Sequence, residues 1–242
     1  MSDGLQILHR DDHLVVIYKP AGLLVHRSAI DRGATEFALQ MVRDQLGRRV
    51  FPVHRLDRPV AGVLLFALDA DVARTLGAAF AAGLLGKSYL ALVRGHTPDR
   101  ADIDYPLREQ LDRMTDALAD PDKPAQAAIT GYRTVARFEL PHAVGRYASA
   151  RYALLEVLPR TGRKHQIRRH LKHVFHPIIG DTTHGDGKHN RFFREHFGCA
   201  RLLLVATRIG FTHPVTGAAL AIAAAPDAEF AAVLDGLRRY PA

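Results

Sequence analysis

The stretch that most limits how this chain can fold is Gly62 to Leu68, GVLLFAL, an uninterrupted apolar run set between the charged turn Arg55 to Arg58 and Asp69. It is too short to cross a bilayer and reads as a buried strand. Similar signals recur along the chain. Leu5 to Arg10 and Leu14 to Pro20 read as two short strands separated by the turn residues Asp11 and Asp12, with Lys19-Pro20-Ala21-Gly22 breaking the second. Lys87 to Val93, Ile129 to Leu140, Arg151 to Leu158 and Leu202 to Phe211 are further expected strands. Helical spacing marks Glu36 to Leu46, ending at Gly47, and Val72 to Ala82, with Asp69 or Asp71 as its cap and Gly83 as its stop. Shorter helices are expected over Lys164 to His173 and Asn190 to His196, and a C-terminal one over Asp227 to Arg239. Glu109 to Gln126 is polar and acidic, and strands resume on both sides of it. It therefore reads as a surface insert, with residues 1–242 forming a single domain. Strands dominate and the helices do not alternate with them. The expected class is α+β, with a mixed, mainly antiparallel central sheet flanked by helices and loops.

The charge distribution narrows the partners. The chain of 242 residues carries a net charge of +8. Such a balance favours polyanions, nucleic acid ahead of an anionic membrane surface. The charge is polarised. Val157 to Gly180 contains no acid but holds Arg160, Arg163, Lys164, Arg168, Arg169 and Lys172 with four histidines, whereas acids gather at Glu109, Asp112, Asp116, Asp120 and Asp122. The single cysteine, Cys199, excludes an internal disulfide and suits a reducing compartment. No apolar run suggests a membrane span, and MSDGLQILHRDDH lacks a signal-peptide core. A cytoplasmic protein is expected.

Asp57 lies between Arg55 and Arg58, followed by Pro59 and Gly62 and then the apolar strand. By itself Arg-x-Asp-Arg describes a surface turn with ion pairs. Here a rigid anchor would hold the carboxylate in place, and neighbouring guanidinium would favour its charged form.

HRLDRPVAGVLLFAL resembles the aspartate motif of the RluA-type pseudouridine synthases. Three further segments match that family in order. Lys19 to Ser28, KPAGLLVHRS, is similar to its lysine–proline segment. Lys87 to Gly95, KSYLALVRG, is similar to its tyrosine motif, and Thr161 to Asp181, TGRKHQIRRHLKHVFHPIIGD, to its arginine motif. VHRSAIDR, DKPAQAAITGYR and GRYASARYALLEV point to the branch that modifies uridine 65 in the acceptor-stem region of tRNA.

The resemblance implies a pseudouridine synthase fold and an enzyme that breaks the uracil–ribose C–N bond, turns the base and rejoins it through carbon. It implies no cofactor. Asp57 would either attack the sugar as a nucleophile or abstract a sugar proton. Tyr89 would lie against the uracil and help remove its C5 proton; alone, it would be taken for a core aromatic. Arg168 would pair with Asp57 in a dry pocket. The uridine must be flipped out of its stack, and Arg55 would either fill the vacated space or bind a phosphate. Arg58, Arg163, Lys164, His165, Gln166 and Arg169 are the other residues expected at the RNA, with Arg163, Lys164 and Arg169 as phosphate clamps or a solvated helix face. Structured RNA, tRNA above all, is the expected partner. A monomer with no obligatory protein partner, no membrane and no separate S4-type RNA-binding domain is expected.

The chain departs from the family pattern at Val60-Ala61, where Thr-Ser is usual, and at Val205, where a histidine is usual. His170, His173, His176, His184, His189, His196 and Cys199 raise a metal site as a competing reading, but acidic ligands are missing among the first three and no metal is expected. The competing functions are the same chemistry on ribosomal RNA, a non-catalytic RNA-binding module, and a His/Asp metal-dependent phosphohydrolase.

Overall fold

The computed structural model describes residues 4–27, 33–109 and 123–242. Most of the acidic insert, residues 110–122, lies outside them, as do residues 28–32 of VHRSAIDR. The described elements run in chain order as β1 (Ile7–Arg10), β2 (Leu14–Lys19), α1 (Ala38–Leu46), β3 (Phe51–Pro52), β4 (Ala61–Ala67), α2 (Ala70–Ala81), β5 (Gly86–Arg94), β6 (Arg100–Asp104), β7 (Ile129–Leu140), β8 (Ala150–Pro159), α3 (Gln166–His173), α4 (Gly187–Phe197), β9 (Leu204–Thr212), β10 (Ala219–Ala223) and α5 (Ala228–Leu237).

The strands form one sheet in the order β1-β2-β4-β9-β5-β8-β7-β6, with β10 on β9 and β3 on β4. Named strand pairs are antiparallel except β4 with β9. The fold is thus α+β, as expected. Every residue of β4 is buried, which accounts for its unbroken apolar sequence. Its alternate residues feed opposite faces: Leu64 and Phe66 join one core cluster, Val63 and Leu65 another. Burying each such side chain contributes roughly 1.5–3 kcal/mol.

Helix boundaries follow local chemistry. Asp69 caps α2 by accepting from the Val72 N–H at 2.8 Å, and Asp227 caps α5 through the Phe230 N–H at 3.0 Å. Gly47 ends α1 in the left-handed conformation at φ 63°. Sequence reasoning missed β3, β6 and β10, which are short and lie off the main apolar runs. The helix expected over Asn190 to His196 starts earlier, at Gly187, because Asp186 caps it.

The β4–β9 junction brings distant segments together. Ala61 pairs with Val205 and Gly62 with Ala206, while Ala206 also pairs with Tyr89 of β5. The end of the Asp57 turn therefore lies two strand spacings from Tyr89, about 9.6 Å. Gly62 sits at φ +115°, and a Cβ there would lie 2.1 Å from the Ala206 carbonyl oxygen, so no side chain fits. Ala61 and Val205 are opposite each other in one apolar cluster. The residues that depart from the family pattern at these two positions thus face one another, an apolar pair where a polar pair is usual.

Candidate active site

Asp57 sits on a turn closed by the Val60 N–H donating to the Asp57 carbonyl at 3.0 Å. The lysine–proline segment clamps this turn. The Gly22 N–H donates to the Arg58 carbonyl at 2.9 Å, and Arg58 Nε returns a bond to the Gly22 carbonyl at 3.1 Å. Lys19 is fully buried and donates to the carbonyls of Pro20, Leu23 and Arg58 at 2.9, 2.7 and 3.2 Å. Burial pulls its ammonium down to about 7, and the nearby Asp57 charge opposes that pull. Two segments separated in sequence thus form a single support for the carboxylate. His54 anchors the other side: it is buried and accepts from the Leu65 N–H at 3.3 Å.

Arg168 reaches Asp57 from α3. Its Nη1 donates to Asp57 Oδ2 at 3.1 Å. The rest of its guanidinium is held by Asp181, with Nε to Oδ2 at 2.7 Å and Nη2 to Oδ1 at 2.9 Å. Burial works against the Arg168 charge, but Asp181 and Asp57 outweigh it and hold the guanidinium above its ordinary value. For Asp181, burial pushes the carboxyl up; Arg168 and the His184 and Thr183 N–H groups overcome that and hold it below the usual carboxylate range. The arrangement is a buried carboxylate–guanidinium pair that presents one remaining donor to a second, partly exposed carboxylate.

Tyr89 is partly buried against the core cluster that also contains Val60, Ile167 and Ala206. Its phenol is pushed up by burial and further by the Asp57 charge, so the hydroxyl keeps its proton at neutral pH. Asp57, Tyr89 and Arg168 are therefore brought together from a turn, a strand and a helix.

His165, expected at the RNA, lies beside Asp57 as well. Its backbone is left-handed at φ 56°, an uncommon conformation for a residue other than glycine. Its Nε2 is 3.8 Å from Asp57 Oδ2, and its Nδ1 shares a hydrogen bond with His184 Nε2 at 3.0 Å. Burial lowers the His165 pKa against the opposing Asp57 charge, and burial pulls His184 down to about 4, so both imidazoles are neutral at pH 7.

Gln166 requires a correction. It is buried and its amide is spent inside the protein. Nε2 donates to the Ile129 carbonyl and Thr130 Oγ1 at 3.0 and 2.9 Å, while Oε1 accepts from Thr161 Oγ1 and the Arg163 N–H at 2.7 and 3.0 Å. It fixes the start of α3 to β7 and does not face RNA. Arg55, Arg58, Arg163 and Lys164 are exposed, and Arg169 is half-buried. Arg163 Nε and Arg169 Nη1 rest on the carbonyls of Ala127 and Arg108 at 3.2 and 2.9 Å.

The histidine run disperses into separate tasks. His170 is buried between Thr130 Oγ1 and the Tyr105 carbonyl, His173 stacks on Tyr105, and His176 bonds the Arg94 carbonyl. Among the described residues no group of three or more His, Cys, Asp or Glu comes together as a metal site. Asp181 and His184 were missed as members of the site. The signal was present for Asp181, the first acid after the acid-free run Val157 to Gly180. Nothing in the sequence marks the partner of His184.

Comparison with known proteins identifies the family. Residues 13–173 match the family described as RNA pseudouridylate synthase. The chain is 52% identical over 223 residues to tRNA pseudouridine synthase C of Vibrio cholerae, covering 92% of this chain and 91% of the relative. It is 50% identical over 220 residues to tRNA pseudouridine synthase C of Yersinia pestis, covering 91% and 86%. Among solved structures it resembles human RNA Pseudouridylate Synthase Domain Containing 4, with a TM-score of 0.71 and 27% identity over 96% of this chain and 93% of that one. With its four motifs folded around one carboxylate, the chain belongs to the RNA pseudouridylate synthase family.

Proposed function

We propose that this chain isomerises a uridine of tRNA to pseudouridine, at position 65 in the acceptor-stem region, with Asp57 as the catalytic carboxylate. The observation that carries the proposal is Arg168, held by buried Asp181 and donating its remaining edge to Asp57. The relatives' name, tRNA pseudouridine synthase C, supports tRNA as the substrate.

In the reaction the N1–C1′ bond breaks, the freed uracil turns, and a C5–C1′ bond forms. The C5 proton then leaves and N1 gains one. Atoms and electrons balance without an oxidant, a reductant or an imported group, so the chemistry asks only for positioned acids, bases and charge. Asp57 acts on the sugar, by attack or by proton abstraction. Arg168 holds the carboxylate toward it without surrendering a proton. Tyr89, protonated at neutral pH, packs against the turned base. Neutral His165, braced by His184, flanks Asp57 and is placed to pass a proton outward. Arg55, Arg58, Arg163, Lys164 and Arg169 serve RNA binding, with Arg55 either filling the space a flipped nucleotide leaves or holding a phosphate. Among the described residues no helix is long and apolar enough to cross a membrane. We take the enzyme to work in the cytoplasm, as a single chain that needs no partner but the RNA.

The test is direct. The purified chain is incubated with unmodified tRNA transcripts and, separately, with ribosomal RNA, and pseudouridine is mapped by chemical probing. One modified uridine in the acceptor-stem region of tRNA, absent with Asp57→Asn, is expected. Modification confined to ribosomal RNA would move the substrate assignment, and normal turnover by Asp57→Asn would overturn the role of Asp57.

A further inference from the structure

α3 ends in a way that puts a large aromatic where glycine belongs. The Phe175 N–H donates to the Lys172 carbonyl at 3.0 Å and the His176 N–H to the Leu171 carbonyl at 2.8 Å. This is the two-bond helix stop whose left-handed residue is usually glycine. Here it is Phe175, at φ 64° and 79% exposed. A bulky side chain in that conformation costs stability, and its ring recovers little by burial. Some other advantage is needed to account for it.

The surroundings supply one. The Phe175 carbonyl accepts from Arg94 Nη2 at 3.3 Å, and Arg94 lines a cavity of about 870 Å³ with Arg146, Tyr147, Arg151, Asp186 and Lys188. Tyr147 is 63% exposed, and the Arg146 guanidinium lies 4.9 Å from its ring centroid. Asp186 pairs with Arg94 and Glu139 with Arg151, which leaves the cations in excess. Exposed rings interleaved with guanidinium and ammonium groups suit a nucleic-acid strand, whose bases stack while its phosphates meet the charge. The cavity opens at the end of β5. Arg94 lies five residues beyond Tyr89, about 17 Å along the strand, or roughly five stacked bases.

We propose that Phe175, Tyr147 and the cavity beside Arg94 form a second RNA-contact surface, separate from the Asp57 pocket, which holds the body of the same RNA by stacking and phosphate contact. The proposal rests on the RNA-modifying function above and extends it to how a structured substrate is gripped away from the reacting uridine.

Phe175→Gly and the double variant Arg146→Ala/Tyr147→Ala test it. Thermal unfolding and the Kd for a tRNA transcript at fixed salt are measured for each, with pseudouridine formation followed separately. Phe175→Gly is expected to raise Tm by about 2–4 °C through relief of the left-handed Phe. The same change is expected to weaken tRNA binding about 5- to 150-fold, the range of one lost base stack. The double variant should weaken binding at least as much and lower its salt dependence. Unchanged tRNA affinity in both variants would overturn the surface. So would a changed self-association of the free chain with tRNA affinity intact, since that would mark a protein interface. If the wild-type chain binds tRNA through these residues yet forms no pseudouridine in it, the surface stands and the proposed function falls.

Discussion

Arg168 and Arg169 are neighbours in the chain and carry the same charge, yet the fold gives them opposite work. Arg168 is buried and spans two carboxylates through three hydrogen bonds. Arg169 lies one step around α3, rests on the carbonyl of Arg108 and remains accessible. The same contrast divides the whole basic half of the molecule. Lys19, Arg168 and Gln166 are frame, their polar groups consumed inside. Arg55, Arg58, Arg163 and Lys164 expose their side chains, though Arg58 and Arg163 each also donate to a backbone carbonyl. Burial, more than residue type, separates the groups that shape the carboxylate from those that can meet a polyanion.

Substitutions on either side of that divide should differ in kind. The largest effect is expected at Asp57, the point where frame meets solvent. Asp57→Asn should lower single-turnover pseudouridine formation by about 10⁴-fold or more, with tRNA affinity and urea stability close to wild type. A comparable loss of stability would make Asp57 part of the frame. Next comes the frame itself. Asp181→Asn leaves Arg168 buried and half-paired, and should cost about 3–5 kcal/mol in urea unfolding. Arg168→Lys keeps the charge but cannot span both carboxylates, and should lower kcat about 100-fold with a small effect on KM. If either variant behaves like a surface change, the contrast between Arg168 and Arg169 fails.

Per group, a smaller effect follows from the buried histidines. Burial pulls His54 and His184 down to about 4. Their folded values lie below the unfolded value of about 6.5, so the unfolded chain takes up protons first as the medium acidifies. Stability should fall as pH drops from about 6.5 to about 4, by about 3 kcal/mol for each ring and about 6 kcal/mol for both, and should be insensitive to these groups above that window. Urea unfolding at stepped pH reads this out; a flat profile would mean that the two rings titrate normally in the fold. The smallest effect is expected on the open side. Arg169→Ala should raise KM a few-fold at low salt, leave kcat alone, and reduce the slope of log Kd against log salt by about one. A kcat loss there would move Arg169 into the frame.

How much of this could be seen beforehand depends on the kind of force involved. GVLLFAL announced β4 because full burial leaves no room for polar residues. Asp69, Asp227 and Gly47 announced helix ends because capping is local chemistry. Motif resemblance singled out Asp57, Tyr89 and Arg168; the strand register sets the Asp57 turn two strands from Tyr89, and α3 brings Arg168 to Asp57. Gln166 was misplaced because a polar residue within a basic motif looks like a surface contact; only the packing of α3 on β7 shows that its amide is consumed. Asp181, His184 and the triple carbonyl cradle of Lys19 depend on tertiary proximity, which no periodicity encodes. The left-handed backbone of Phe175 was hidden for a different reason, since the residue at that helix stop is one whose type argues against the conformation.

The position of β9 has a consequence for synthesis. It pairs with β4 on one side and β5 on the other, although the ribosome makes it long after both. A nascent chain that stops near residue 200 therefore has two apolar edges with a gap between them, and Tyr89 has no intervening strand to align it with the Asp57 turn. The site closes only when late-made polypeptide threads into the middle of a sheet already begun. A prematurely released fragment would lack the assembled catalytic site and, with both edges bare, would be a ready target for chaperones and proteases.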